Sequence, residues 1–356
     1  MTGTTDLFDR RIDVIMFDSS YTEIARVFTP DIGPKPEIKV EGTIISNTYS
    51  ISSKVTITNI ERSVPVESVR FLYVELYYGG ARSNSLRKGF LYDVLYADQS
   101  KQPPDRQVCF NCVVAGTSPD IMQQRCSIGE LNSEGQPTEQ TLDSLLRAFI
   151  TSYNLALSKY SNNPLLLKSL ILKEEPLYRM ASVYSDKYKE RPIAYQCSNA
   201  TLSSVLDDLA SASVDVEALT EDASVLKEYY ALNFYIEQNR LVVATNPSSN
   251  AELLEEEGVI DFTYVISAYR CGVVLHCATL FDPRIHQDVT VRIARNAVVG
   301  KKVAGELLPM STEVIRFRPV GGIKFTFSTT TENIMQMQGV AYPDNSDISY
   351  QIALAR

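Results

Sequence analysis

Between Arg10 and Gly116 apolar residues recur at every second position, run after run, with short polar gaps between the runs. In "RRIDVIMF", Ile12, Val14 and Met16 alternate with Asp13 and Ile15. In "PKPEIKVEGTIISNTYSISSKVTITNI", Ile38, Val40 and Ile44 alternate with Lys39, Glu41 and Thr43. Past a turn near Asn47, Val55 and Ile57 alternate with Lys54, Thr56 and Thr58. A period of two puts one face of each segment on a core and the other among polar surroundings. Three further strands are expected: Val66 to Tyr78, "GFLYDVLYADQ" and "RQVCFNCVVAG". Strands this close together leave no room for βαβ crossovers, so the pattern predicts an antiparallel barrel or sandwich.

The pattern changes twice before it returns. "TSPDIMQQRCSIGELNSEGQPTEQ" is polar and irregular. In "TLDSLLRAFITSYNLALSKY", Leu142, Leu145, Leu146, Phe149, Ile150, Tyr153 and Leu157 then form one stripe of an α-helix. Thr138 or Thr141 can cap its start, and "SNNP" at Ser161 to Pro164 ends it. Residues 192–246 read as a small α/β unit. It has a strand in "PIAYQC", a helix in "NATLSSVLDDLASA" with Leu202, Val205, Leu206 and Leu209 on one face, and a hairpin turning at Glu237 to Arg240. "NPSSNAELLEEEG" is a solvated linker carrying Glu252, Glu255, Glu256 and Glu257. From Val259 the alternation resumes: Ile323, Phe325 and Phe327 face one way, and Lys324, Thr326 and Ser328 the other. "YQIALAR" is an expected last strand.

The chemistry-bearing residues are sparse. There is no G-x-S-x-G elbow, P-loop, G-x-G-x-x-G after a strand, or H-E-x-x-H. Of the six cysteines, Cys109 and Cys112 form a C-x-x-C pair. It lies within a strand, where an odd separation sends the side chains to opposite faces. No second pair follows at zinc spacing, so these read as small buried hydrophobes. His276, Cys277, Asp282, His286 and Asp288 crowd into thirteen residues. They straddle a strand and a turn without ligand periodicity, so a structural histidine is expected. No cofactor, metal or catalytic residue is assigned. Paired carboxylates leave no linear signature, but sugar-stacking Trp is absent.

Net charge is −9, a poor basis for holding phosphates. The N-terminal "MTGTTDLFDRR" has no apolar signal core, and no apolar run is long enough to span a bilayer. The expectation is a chain made in a cytosol that stays soluble or joins a soluble assembly, without membrane insertion.

Several segments carry a resemblance. Gly42, Ile44, Asn47, Ile57, Thr58 and Asn59 match a G-x-[IL]-x-x-N stretch leading into a strand that ends in "ITN". Gly89, Leu91 and Tyr96 match a second, later strand pattern, and "NATLSSVLDDLASASVDVEAL" resembles a middle module in which a helix begins with T-L. In order and over most of the chain, this resembles the baseplate hub proteins of contractile-tailed phages and the hub part of type VI secretion spike proteins.

The resemblance implies a mainly β fold with α+β inserts. It has two tube-type antiparallel β-barrel domains (1–116 and 259–356), a helical insert (117–191) and a small α/β module with its linker (192–258). It implies a non-enzymatic homotrimer in the virion tail baseplate, assembled in the bacterial host cytoplasm. That trimer joins a six-fold tail tube to a three-fold central spike. Its partners are tube or tube-initiator proteins, the spike and surrounding baseplate proteins, and DNA passes through without specific binding. No spike repeat or lysozyme segment is present, so the spike is expected to be a separate chain. The competing expectation is a receptor- or carbohydrate-binding β-protein of a tail or cell-surface assembly.

Overall fold

The computed structural model describes residues 10–30, 36–44, 52–78, 86–100, 106–174, 177–178, 192–212, 232–237, 239–245, 259–262, 265–271, 274–282, 285, 290–293, 300–303, 306–308, 315–330 and 333–342. The turn at Asn47, residues 101–105 of the "DQSKQPPDR" loop, the acidic linker and "YQIALAR" lie outside them.

The first stretch forms β1 (Arg10–Phe17), β2 (Glu23–Val27), β3 (Ile38–Ile44), β4 (Ser53–Thr58), β5 (Phe71–Tyr78), β6 (Leu86–Gln99) and β7 (Gln107–Val114). A short α1 (Pro119–Met122) leads to β8 (Arg125–Ile128), β9 (Glu139–Thr141), α2 (Leu142–Tyr160), α3 (Pro164–Leu170) and β10 (Leu177–Tyr178). Then come β11 (Pro192–Ala194), β12 (Cys197–Thr201), α4 (Leu202–Ala212), β13 (Leu232–Glu237) and β14 (Arg240–Thr245). The last region supplies β15 (Val259–Phe262), β16 (Val265–Cys271), β17 (Val274–Thr279), β18 (Thr290–Ile293), β19 (Gly300–Val303), β20 (Glu306–Leu308), β21 (Ile315–Ser328) and β22 (Asn333–Tyr342).

The architecture is mainly β, as the alternation predicts, and one extended sheet dominates it. Its order is β2-β1-β5-β6-β7-β4-β3-β21-β22-β17-β16-β19-β20, with β18 and then β15 branching from β21. The joint is antiparallel pairing of β3 with β21, Lys39↔Ser328 through Ile44↔Ile323. The N-terminal hairpin β3–β4 is therefore central to a sheet shared by both ends of the chain. Gly42 sits opposite Phe325, and a Cβ there would come within 3.0 Å of both the Phe325 ring and Ser53 Oγ. Asn59, just past β4, has φ +61°, a conformation Asn tolerates better than most residues. Two residues of the hub-like motif thus have plain packing and backbone reasons.

The two halves of the sheet repeat one strand order. On one side the path runs β1-β5-β6-β7-β4-β3, and on the other β15-β18-β21-β22-β17-β16. In each, an opening strand is followed by a hairpin, a short strand, a 14-residue strand and its antiparallel partner. Both long strands are interrupted, at Val94/Tyr96 and at Val320/Lys324. The halves differ at their opening strands, β1–β5 being antiparallel and β15–β18 parallel, and in their flanking strands, β2 beside β1 and β19–β20 beside β16.

The core face of this sheet gathers Ile12, Val14, Val40, Val55, Leu72, Phe110, Phe325, Phe327 and Met335, all buried. Phe90 of β6 stacks on Phe325 of β21 with centroids 5.6 Å apart, so the sheet curls until its two halves meet. A second apolar cluster lies on the opposite face of β5–β7. There α2 buries Leu142, Leu145, Leu146, Phe149, Ile150, Tyr153 and Leu157, the stripe read from sequence, and packs with α3, α4 and Phe71. The β13–β14 hairpin lies between the clusters: Tyr235 and Val242 face the sheet core, while Phe234 and Val243 face the helices. β8–β12 and β9–β11 pair strands that precede α2 with strands that follow α3.

Helix boundaries follow the capping chemistry. Thr141 caps α2 by accepting from the Ser144 N–H at 3.2 Å, and Asn163 caps α3 by accepting from Leu165 and Leu166. α3 is an element the sequence reading did not include. α4 starts at Leu202, because Thr201 accepts from the Ser204 N–H at 3.2 Å and Asn199–Thr201 continue a strand. The expected strand from Val66 begins only at Phe71, because Val66–Ser68 form a 3-10 turn after Pro65.

Candidate functional site: a polar sheet face and a pinned insert

Where the helices do not cover it, the face opposite the core is polar. On β3 it carries Lys39, Glu41 and Thr43; on β4, Lys54, Thr56 and Thr58; on β7, Cys109 and Asn111. It continues across the joint through Lys324 and Thr326 on β21, Gln336 and Gln338 on β22, and His276 on β17. The odd-numbered residues of β7 extend it to Tyr96 and Asp98 of β6, and Asn111 Nδ2 donates to Asp98 Oδ2 at 3.2 Å. On these central strands Lys39, Lys54 and Lys324 lie with Glu41 and Asp98, Lys39 pairing with Glu41 at 3.2 Å, and the register places Glu75, Arg87, Arg292, Arg316 and Arg318 on the same face.

At the other end of the same face, Phe71, Asp93 and Val113 lie in one cross-strand row and are buried beneath the insert. Asp93 Oδ1 accepts from the Tyr160 hydroxyl at 3.1 Å, and Arg70 Nη2 donates to Tyr160 Oη at 2.9 Å. Arg70 also reaches the Val94 carbonyl at 3.2 Å and Asp120 at 3.5 Å. The Gly116 N–H and the Ser118 hydroxyl lie beside the carboxylate, but its Oδ2 accepts no hydrogen bond of normal geometry. Burial pushes Asp93 up to about 6, against the pull of Arg70 and Tyr160. An open cleft of about 590 Å³ lies over this group, lined by Pro119, Asp120, Gln123, Gln124, Ala156, Lys159 and Tyr160. Asp93 has no exposed surface and is absent from that lining. The carboxylate therefore works as a pin between the sheet and α2.

The pin has a pH signature. A folded-state value above the unfolded one means that the native protein holds the proton more tightly between about pH 4 and pH 6. Stability from this group then falls as pH rises through that window. Relative to Asp93→Asn, the wild type should gain about 1.5 kcal/mol between about pH 7 and pH 5. Paired denaturation curves at both pH values check this, and a constant gap between the proteins would contradict it.

The residues singled out in the sequence do not converge. Cys109 and Cys112 lie on opposite faces of β7, half-buried and buried respectively, as their spacing requires. Burial pushes the Cys112 and Cys277 thiols up, away from reactive thiolates. His276 sits mid-strand opposite Tyr269 and Gln338, and Cys277 faces the core on the other side. Asp282 is buried beyond the end of β17; His286 and Asp288 lie outside the described residues. Among the described residues no group of His, Cys, Asp or Glu is placed to hold a metal ion. The Asp93–Tyr160–Arg70 group escaped the sequence reading because its members are 67 and 90 residues apart.

The sequence matches no protein-family model and no curated protein. Several solved structures are similar to the fold. A tail protein from Neisseria meningitidis aligns with TM-score 0.47 and 7% identity over 94% of this chain and 97% of that one. A tail protein of prophage MuSo2 from Shewanella oneidensis gives 0.46 and 9% identity over 93% and 98%. An E. coli component of the type VI secretion system, described as structurally similar to bacteriophage T4 tail proteins, gives 0.45 and 8% identity over 88% and 76%. These structural neighbours are phage tail and type VI secretion proteins.

Proposed function

We propose that the chain is a structural hub of a phage tail baseplate. In this reading three copies form a ring that joins a six-fold tail tube to a three-fold central spike and leaves a channel for DNA. The observation that carries it is the repeated strand order within one continuous sheet. A chain with two equivalent β units offers six units in three copies, so a three-fold object can meet a six-fold one. The division into tube-type barrels at 1–116 and 259–356, a helical insert at 117–191 and an α/β module at 192–258 belongs to this proposal.

The polar face is the surface proposed to line the channel, with the helical insert outside, toward surrounding baseplate proteins. Tube or tube-initiator proteins stack on one end of the ring, and the central spike on the other. The role is geometric and needs no catalytic group. Its place is the virion tail, after assembly in the bacterial host cytoplasm. Among the described residues no helix is long and apolar enough to cross a membrane.

Two measurements test the reading. Isolated tail particles should contain three copies of the chain at the baseplate centre; a peripheral location or six copies overturns it. Duplex DNA should show no measurable binding to the purified protein at about 0.15 M salt, because a chain of net charge −9 is a poor holder of phosphates. Salt-sensitive binding would mean a basic channel. Retention on glycans would favour the receptor- or carbohydrate-binding alternative instead.

A further inference from the structure

The segment before α2 and the segment after α3 are joined by a ribbon of two strands, β8 and β12. Cys197 lies opposite Ile128, and Ala200 opposite Cys126. All four side chains point to the same side, where Ile128 is buried in the helix cluster and the other three pack against it. Cys126 and Cys197 are thus diagonal neighbours on one face of one ladder, both free thiols and both half-buried. No other two cysteines whose side chains are described face the same side of directly paired strands.

Reach and access decide what such a pair can do. On a regular ladder diagonal neighbours stand about 7–8 Å apart, and a disulfide needs Cα atoms within about 7 Å. The ribbon has the slack to close that difference. Between Cys197 and Ala200 the register shifts, so Ser198 and Asn199 stand against Ser127 alone, with Asn199 at φ +57°. There the Asn199 N–H donates to the Ser127 hydroxyl at 3.2 Å, a side-chain bond in place of a ladder bond. Burial, and then the neighbouring Cys197, pushes the Cys126 thiol up to about 11. Such a thiol attacks slowly at neutral pH, but it is also a poor leaving group, so a bond once made resists reduction.

We propose that Cys126 and Cys197 are a disulfide-forming pair that staples the base of the helical insert when the chain meets an oxidant. The oxidant is a small-molecule disulfide such as glutathione disulfide. One protein thiolate attacks it, forming a mixed disulfide and releasing one glutathione thiolate; the second protein thiolate then displaces the other. Two protein S–H bonds and one glutathione S–S bond are lost. One protein S–S bond and two glutathione S–H bonds are formed, and glutathione takes up the electron pair. The new bond closes a loop that contains α2 and α3, so it restrains the unfolded chain over the whole insert. Disulfides persist outside a reducing cytosol, and a chain folded with free thiols gains this staple on leaving one. The pair does not depend on the hub reading.

Peptide mapping tests this. The full chain is incubated with glutathione disulfide at mildly alkaline pH, the remaining thiols are alkylated, and the digest is mapped by mass without reduction. The expected product is a peptide holding Cys126 joined to one holding Cys197, separable by dithiothreitol. The linked protein should melt at least roughly 3 °C above the reduced one. Cys126→Ser should give neither the linked peptide nor the rise in melting temperature. Both cysteines alkylated, or each carrying its own glutathione, overturns the pair. A link that leaves the melting temperature unchanged, or the same rise in C126S, overturns the staple. If C126S does not fold, the map and the melting curves of the wild type decide.

Discussion

Phe149→Ala is expected to lower the free energy of unfolding by about 3–5 kcal/mol. Phe149 has no exposed surface and lies in the middle of the α2 stripe, its ring centroid 6.4 Å from that of Tyr153. Its cluster draws on α1, α2, α3, α4, β13, β14 and Phe71 of β5, so elements from several directions frame the site. Such a frame collapses poorly around a lost ring, and the cavity term adds to the lost transfer energy. Urea denaturation should show a lower midpoint with an unchanged slope. Leu155→Ala on the same helix is the control. Leu155 is 58% exposed, and its removal should stay within about 0.5 kcal/mol. Equal effects from the two substitutions would show that the stripe does not face a core.

The second large effect is expected at Gly129. Its φ is +87°, and a Cβ there would lie 2.1 Å from the Tyr195 carbonyl oxygen and 2.9 Å from Gln196 Cα. Both obstacles are backbone, so neither can rotate away. Gly129 follows β8, whose partner β12 begins just past Gln196, and substitution would push these segments apart. Gly129→Ala should cost about 3–5 kcal/mol, the sum of left-handed strain and overpacking. Gly135 separates the two terms. Its φ is +78°, but nothing lies within 4 Å of an added Cβ. Gly135→Ala should cost only about 1 kcal/mol, the conformational part. A Gly129 variant no less stable than the Gly135 variant would contradict the close approach of Tyr195.

The insert could be read in advance because a helix declares its buried face locally. Residues three and four apart share a side whatever the partner is, so Leu145, Phe149 and Tyr153 were legible from spacing alone. The β3–β4 hairpin was legible for the same reason, with Ile38, Val40, Val55 and Ile57 all buried. The polar face was half legible: alternation separated Lys39 and Lys324 from their apolar neighbours. It could not show that the two lysines belong to one surface.

By itself, then, the sequence determined which residues face inward along α2 and the β3–β4 hairpin, and that the chain carries none of the linear catalytic motifs sought. The tertiary structure alone decided which strands are neighbours. β3 meets β21 across 289 positions between Lys39 and Ser328, and no periodicity encodes a partner at that distance. It alone decided that Asp93, on a strand that alternates regularly up to the bulge, is buried under α2 and held by Tyr160. Strand alternation is a property of one segment and its own two faces. Pairing depends on backbone N–H and C=O groups that every residue carries alike, and it is settled only by which edges the packed cores bring side by side.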